Sequence, residues 1–109
     1  MYSYISELQD LYVANKLMKI KSRAYIIGKP CVWAIVALLS STKDKTLNIT
    51  SIVSNLNSNY STITRCIEYM RIFDIVHEVR LGRLRLIQLN CNNEVVKAML
   101  DILNNVTTL

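Results

Sequence analysis

Proline occurs once and glycine twice in this chain of 109 residues. That scarcity leaves no room for collagen-like repeats, Pro-rich segments or Gly/Ser linkers, and no internal repeat divides the chain. One domain spanning residues 1–109 is therefore expected. There is a single histidine, His77, and neither a Gly-x-Ser-x-Gly elbow, a phosphate loop nor a cluster of paired carboxylates, so no catalytic activity is expected. The three cysteines, Cys31, Cys66 and Cys91, are odd in number, widely spaced and without a Cys-x-x-Cys pair. That pattern suits neither a disulfide framework nor a zinc knuckle, and with one histidine it offers no metal-ligand spacing. Reduced thiols, no metal and no cofactor are the expectation. Cys66 sits beside Arg65 in a helical segment, and a thiol enclosed there is inert rather than a redox switch. Long apolar runs are also missing. The longest, Cys31 to Leu39, falls well short of the roughly 20 residues that cross a bilayer. Glu7 and Asp10 interrupt any signal-peptide layout. No membrane association and a cytoplasmic location are expected.

Acidic residues are scarce as well: eight Asp and Glu face 13 Lys and Arg, for a net charge of +5. A basic chain suits a polyanionic partner, nucleic acid above all. The tail is no part of that surface, since Glu94 and Asp101 outnumber Lys97 there. Apolar residues make up 51% of the chain, more than a small monomer needs, and such an excess commonly ends in a subunit interface. Richness in Asn, Ser, Ile and Tyr with few acids is compatible with a virus or plasmid of an archaeal host.

Hydrophobic spacing predicts the order α, α, a minor strand, α, α, β, β, α. Tyr4, Leu8, Leu11 and Met18 recur at helical spacing over residues 3–21. Residues 22–28 read as a break, and Pro30 opens a second helix over 30–41, apolar on nearly every side. Leu47 to Ile49 is at most a minor strand, and Thr50 is the expected N-cap of a short helix over 51–56 that carries Ile52, Val53 and Leu56 inward. After a turn at Asn57 and Ser58, Ile63, Ile67 and Met70 mark the buried face of a helix over 59–72. Two β-rich runs, 75–81 and 84–90, flank Gly82 as a hairpin. Asn92 or Asn93 caps a last helix reaching residue 106, with Val96, Met99, Leu103 and Val106 on one face.

Two short helices joined by a few residues form a helix-turn-helix, and a hairpin directly after it makes a winged helix. The stretch from Ile49 to Arg65, with the strand Leu84 to Leu89 behind Gly82 and Arg83, resembles the corresponding part of the ArsR/MarR-type winged-helix regulators. The resemblance covers about residues 47–90. It implies a mainly α (α+β) winged-helix fold with a core over 30–90, flanking N- and C-terminal dimerisation helices, and binding to double-stranded DNA as a transcriptional regulator. Carried onto this chain, the base-reading surface is Asn59, Tyr60, Ser61, Thr62, Thr64 and Arg65 at the start of the recognition helix. Arg65 suits guanine and Asn59 adenine, while Tyr60 or Thr62 suits a thymine methyl or a phosphate. Arg80, Arg83 and Arg85 on the wing suit the minor groove and its phosphates. Lys16, Lys19, Lys21 and Arg23 are better explained as complements to the dipole of the first helix. The family usually places glycine after the recognition helix, where Asp74 stands here. That leaves open where this helix ends.

A two-fold dimer is expected through the apolar stripes of the first and last helices, namely Tyr4, Leu8, Leu11, Met99, Leu103 and Val106. Two functions compete with sequence-specific regulation: a non-specific architectural or partition protein that coats DNA through its phosphates, and a winged helix that binds protein.

Overall fold

The computed structural model describes residues 25–107. The expected helix over 3–21, with Lys16, Lys19, Lys21, Arg23 and the interface candidates Tyr4, Leu8 and Leu11, lies outside them. The described elements follow the order α1 (Pro30–Ser40), β1 (Thr46–Asn48), α2 (Ile49–Asn55), α3 (Tyr60–Ile72), β2 (Val76–Leu81), β3 (Leu84–Leu89) and α4 (Glu94–Thr107). The strands form one antiparallel sheet in the order β1-β3-β2.

The predicted break over 22–28 needs correction, because residues 25–27 are helical and only Gly28 and Lys29 separate them from α1. Burial holds that turn: Ile26 belongs to the core, and the Trp33 indole N–H donates to the Ile27 carbonyl. Pro30 begins α1, where a missing N–H costs nothing. Val32, Ile35, Val36 and Leu39 of α1 are buried, and Trp33 and Leu38 pack against the same core. The core closes around them with Ile52 of α2, Ile63, Ile67 and Met70 of α3, Ile87 of β3, and Val96 and Met99 of α4.

The N-cap of α2 is Asn48 rather than Thr50, its side-chain oxygen accepting the Ser51 N–H at 2.7 Å. The helix starts earlier than expected because Ile49 is itself buried. Its end is a left-handed cap: Asn57 has φ of 50°, Asn57 N–H donates to the Ser54 carbonyl at 3.2 Å and Ser58 N–H to Val53 at 3.1 Å. This pairing satisfies two of the last carbonyls of α2 and turns the chain sharply into α3.

The same device ends α3. Asp74 has φ of 57°, its N–H donates to Arg71 at 3.0 Å, and Ile75 N–H donates to Met70 at 2.8 Å. The position that the family gives to glycine is therefore left-handed here too, occupied by a residue with a Cβ. Asn90 and Asn93 support the strained corner, both donating to the Asp74 carbonyl, at 2.9 and 3.0 Å. Asp74→Gly should raise stability by about 0.5 to 1 kcal/mol, the steric cost of a left-handed L-residue less the extra chain entropy of glycine. A higher urea midpoint at unchanged slope would show it; a lower midpoint would mean that the Asp74 side chain contributes more than its backbone costs.

The hairpin is closed by Gly82 and Arg83, with Gly82 at φ of 61°. A glycine at the first central position is what a type II′ turn demands. No atom lies within 4 Å of a Cβ placed there, so backbone conformation and not space requires glycine.

Cys31 and Cys66 are joined in a disulfide, with their Cα atoms 6.4 Å apart, which corrects the expectation of three reduced thiols. Their 35-residue separation carried no signal; the pairing arises because the start of α1 crosses the middle of α3. Cys91 is free and half-buried.

Candidate nucleic-acid interface

Helix α3 divides into two faces. Ile63, Cys66, Ile67 and Met70 point into the core, while Tyr60, Ser61, Thr62 and Arg65 are exposed and Thr64 is half-buried. Asn59 precedes the helix as its N-cap. Its Oδ1 accepts the Thr62 N–H at 2.8 Å and the Ser61 hydroxyl at 2.9 Å, so the oxygen expected to meet adenine is committed to the cap. The Thr64 hydroxyl donates to the Tyr60 carbonyl at 2.6 Å. Arg65 stands at the second turn with its side chain on the open face.

The wing is fixed to this helix by a side-chain bridge. Arg85 on β3 donates from Nη1 to the Tyr60 hydroxyl at 2.8 Å and from Nη2 to Glu78 Oε1 at 2.8 Å. Only 18% of the Arg85 side chain and 8% of the Glu78 side chain are exposed. Two residues expected to touch DNA, Tyr60 and Arg85, are thus engaged with each other and link helix to wing. Arg80 also reaches Glu78, at 3.1 Å, but its side chain remains 69% exposed. Arg83 lies on the exposed turn.

The Arg85 guanidinium holds the Glu78 carboxyl below its ordinary value; burial opposes this, and Arg80 adds to it. Because the folded state binds that proton less readily than the unfolded chain, the bridge contributes fully above the ordinary carboxylate value of 4.5 and is lost as pH falls through the lower folded value. Acid titration of the melting temperature should show this loss, and Glu78→Gln should flatten it. An identical acid limb in the variant would place the effect elsewhere.

A cation that the sequence reading passed over completes the surface. Lys29 lies 4.4 Å from the ring centre of Tyr25 and 4.7 Å from that of Tyr69. With Thr62, Arg65 and the disulfide it lines a shallow cavity of about 150 Å³. Its signal was present in the sequence: a lysine directly before Pro30 opposes the positive end of the following helix dipole, so its place calls for another partner. Tyr25 and Tyr69 supply one, stacking edge to face 5.9 Å apart. Among the described residues, no group of three or more His, Cys, Asp or Glu comes together, and no helix is long and apolar enough to cross a membrane.

Of the expected interface residues on α4, Met99 is 1% exposed and belongs to the chain's own core. It cannot face a second subunit. Leu103 is half-buried, and Val106 is 60% exposed. Ile102, which the sequence reading did not single out, is 50% exposed one turn before Val106.

A helix-turn-helix with a hairpin wing at its C-terminal side defines the winged-helix fold, and comparison with solved structures bears this out. The chain is similar to a winged helix-turn-helix domain from Mycobacterium bovis, described as homodimeric, DNA-binding and of a possible ArsR-family transcriptional regulator. That match has 13% identity and a TM-score of 0.70, covering 86% of this chain and 83% of the other. NolR from Sinorhizobium fredii matches with 12% identity and a TM-score of 0.70 over 87% of this chain and 90% of its own. The transcriptional regulator BldR from Sulfolobus solfataricus matches at 16% and 0.57, over 98% and 83%. At such identities the likeness is one of fold. No family model matches the chain, and no curated protein matches it in sequence.

Proposed function

We propose that this chain is a homodimeric transcriptional regulator of the ArsR type that binds double-stranded DNA in the cytoplasm. The observation that carries the reading is the Arg85–Tyr60 bridge, which joins the basic wing to the exposed start of α3. Arg65 then faces base edges in the major groove. Arg80 and Arg83 reach phosphates or the adjoining minor groove, and Lys29 takes a phosphate next to Arg65. The polar start of α3 is capped and ordered before DNA arrives, so little conformational entropy is lost on docking. Neighbours of the same fold support the reading through what they are described to be, a homodimeric DNA-binding domain among them.

Dimerisation follows from α4. Ile102 and Val106 form an apolar stripe with Leu103 beside it, and a two-fold pairing there presents two recognition helices to successive major grooves, about 34 to 36 Å apart. Ile102→Asp should give a monomer in sedimentation equilibrium and weaken DNA binding.

Fluorescence anisotropy with duplexes tiling the region upstream of the gene, against a random-sequence pool, tests the function. Binding should weaken steeply between two salt concentrations, and Arg65→Ala should lose about 10- to 100-fold on the preferred duplex. Equal affinity for both pools would make the protein an architectural DNA coat. Absence of binding to any duplex would replace DNA with a protein partner.

A further inference from the structure

The tip of the wing is apolar where a merely soluble loop would be polar. Leu81 and Leu84 are the last cross-strand pair before the turn, and they are 58% and 50% exposed. The next pair on the same face is Val79 with Leu86, of which Val79 is 45% exposed. The opposite face carries Arg80 paired with Arg85, and Arg83 sits on the turn itself. From residue 79 to residue 93 there are three arginines, Arg80, Arg83 and Arg85, and no acid. None of the exposed leucines supports the core. An open apolar pair on a hairpin at the edge of a sheet is an aggregation liability, so its presence calls for a partner.

Two features identify that partner. Arginines around an apolar point suit an anionic rim over an apolar interior, which a DNA duplex offers as phosphates around stacked bases. The Arg85–Tyr60 bridge ties the wing to the start of α3, so in the DNA complex proposed above, with α3 in a major groove, the tip at residues 81–84 reaches the neighbouring minor groove. An anionic membrane shares the chemistry, but two leucines bury too little area to anchor a domain there.

We infer that Leu81 and Leu84 form a wedge that enters the minor groove, partly unstacks one base step and bends the duplex, with Arg80 and Arg83 holding the phosphates on either side. The inference rests on the DNA-binding reading above. Pyrimidine–purine steps open most easily, so the wedge adds a preference for such a step at a position flanking the bases read by α3, with no hydrogen bond to that step. Bends made by apolar wedges range from about 20° to 90°.

The test uses the full chain and the tightest-binding upstream duplex of about 30 bp, carrying a dye at each end, with 2-aminopurine placed in turn at each flanking step. Wild type should raise end-to-end energy transfer and brighten 2-aminopurine at one step on each side of the site. Leu81→Thr with Leu84→Thr, both compatible with strands, should abolish both signals while keeping the wild-type melting temperature and salt-sensitive binding within about tenfold, a loss smaller than that of one direct base contact. Tight binding by wild type with neither bending nor 2-aminopurine signal overturns the wedge and leaves the DNA reading intact. The same follows if the double variant bends DNA like wild type, if it loses self-association instead of bending, or if wild type binds anionic vesicles through these leucines. Absence of wild-type binding to every duplex overturns the DNA reading itself, and the wedge with it.

Discussion

Reducing the Cys31–Cys66 disulfide is expected to lower the unfolding free energy by about 4 kcal/mol, the chain-entropy value for a loop of this length. For a domain of this size that corresponds to a fall in melting temperature of about 15 °C or more. The disulfide ties the first turn of α1 to the middle of α3, so the chain loses its freedom to separate those two helices even when unfolded. Cys66 is 3% exposed and packed in the core, while Cys31 is half-buried beside the shallow cavity that Lys29 and Arg65 line. Cys31→Ala with Cys66→Ala should match the reduced protein after allowance for small cavities. The measurement is thermal unfolding with and without a strong reductant, alongside thiol titration in denaturant. One reactive thiol, Cys91, is expected before reduction and three after it. Three thiols before reduction, or a melting temperature indifferent to the reductant, would show that the bond contributes nothing.

Arg85→Ala is expected to cost about 2 kcal/mol, whereas Arg83→Ala should leave stability within about 0.5 kcal/mol. The difference lies in what each arginine leaves behind. Removing Arg85 strands the Glu78 carboxylate, whose side chain is 8% exposed, with only the exposed Arg80 for a partner. The figure lies below that for a fully enclosed pair because Arg80 remains and the hairpin is partly wetted. Arg83 is exposed on the turn, so its loss leaves the packing of the hairpin in place. Arg85→Met with Glu78→Gln should recover much of the stability, since no unpaired charge is then buried. In the proposed DNA complex the two roles separate further. Arg83→Ala should lower the salt dependence by about one phosphate contact. Arg85→Ala should weaken binding by loosening the angle between wing and α3, with little change in salt slope. Equal stability losses for the two variants would mean that the bridge does not hold the wing.

Local patterns in the sequence were enough for the order of the elements from Pro30 to Thr107, because each of them announces itself within a few residues. The three-and-four spacing of Ile63, Ile67 and Met70 defines the buried face of α3, and Pro30 marks the start of α1. Gly82 between two β-rich runs gives the hairpin, and the capping chemistry of Asn93 gives the start of α4; that Asn59, read as the first residue of α3, is its cap was visible only in the structure. The set of exposed polar residues on α3 was legible for the same reason. The boundaries that slipped did so where burial outweighed a local preference, as when the buried Ile49 drew α2 back to a cap at Asn48 instead of Thr50.

Relations between distant residues were decided by tertiary structure alone. Spacing could not pair Cys31 with Cys66, since only the crossing of α1 over α3 brings them to 6.4 Å. The charge of Arg85 was visible, but not that Glu78 and Tyr60 would occupy its guanidinium. Met99 lay on an apolar stripe whose inner and outer edges a helical period does not distinguish, and packing assigned it to the core while leaving Ile102 and Val106 outside. Periodicity reports which side of an element is apolar. What that side meets depends on how the elements pack, and that is a property of the whole chain.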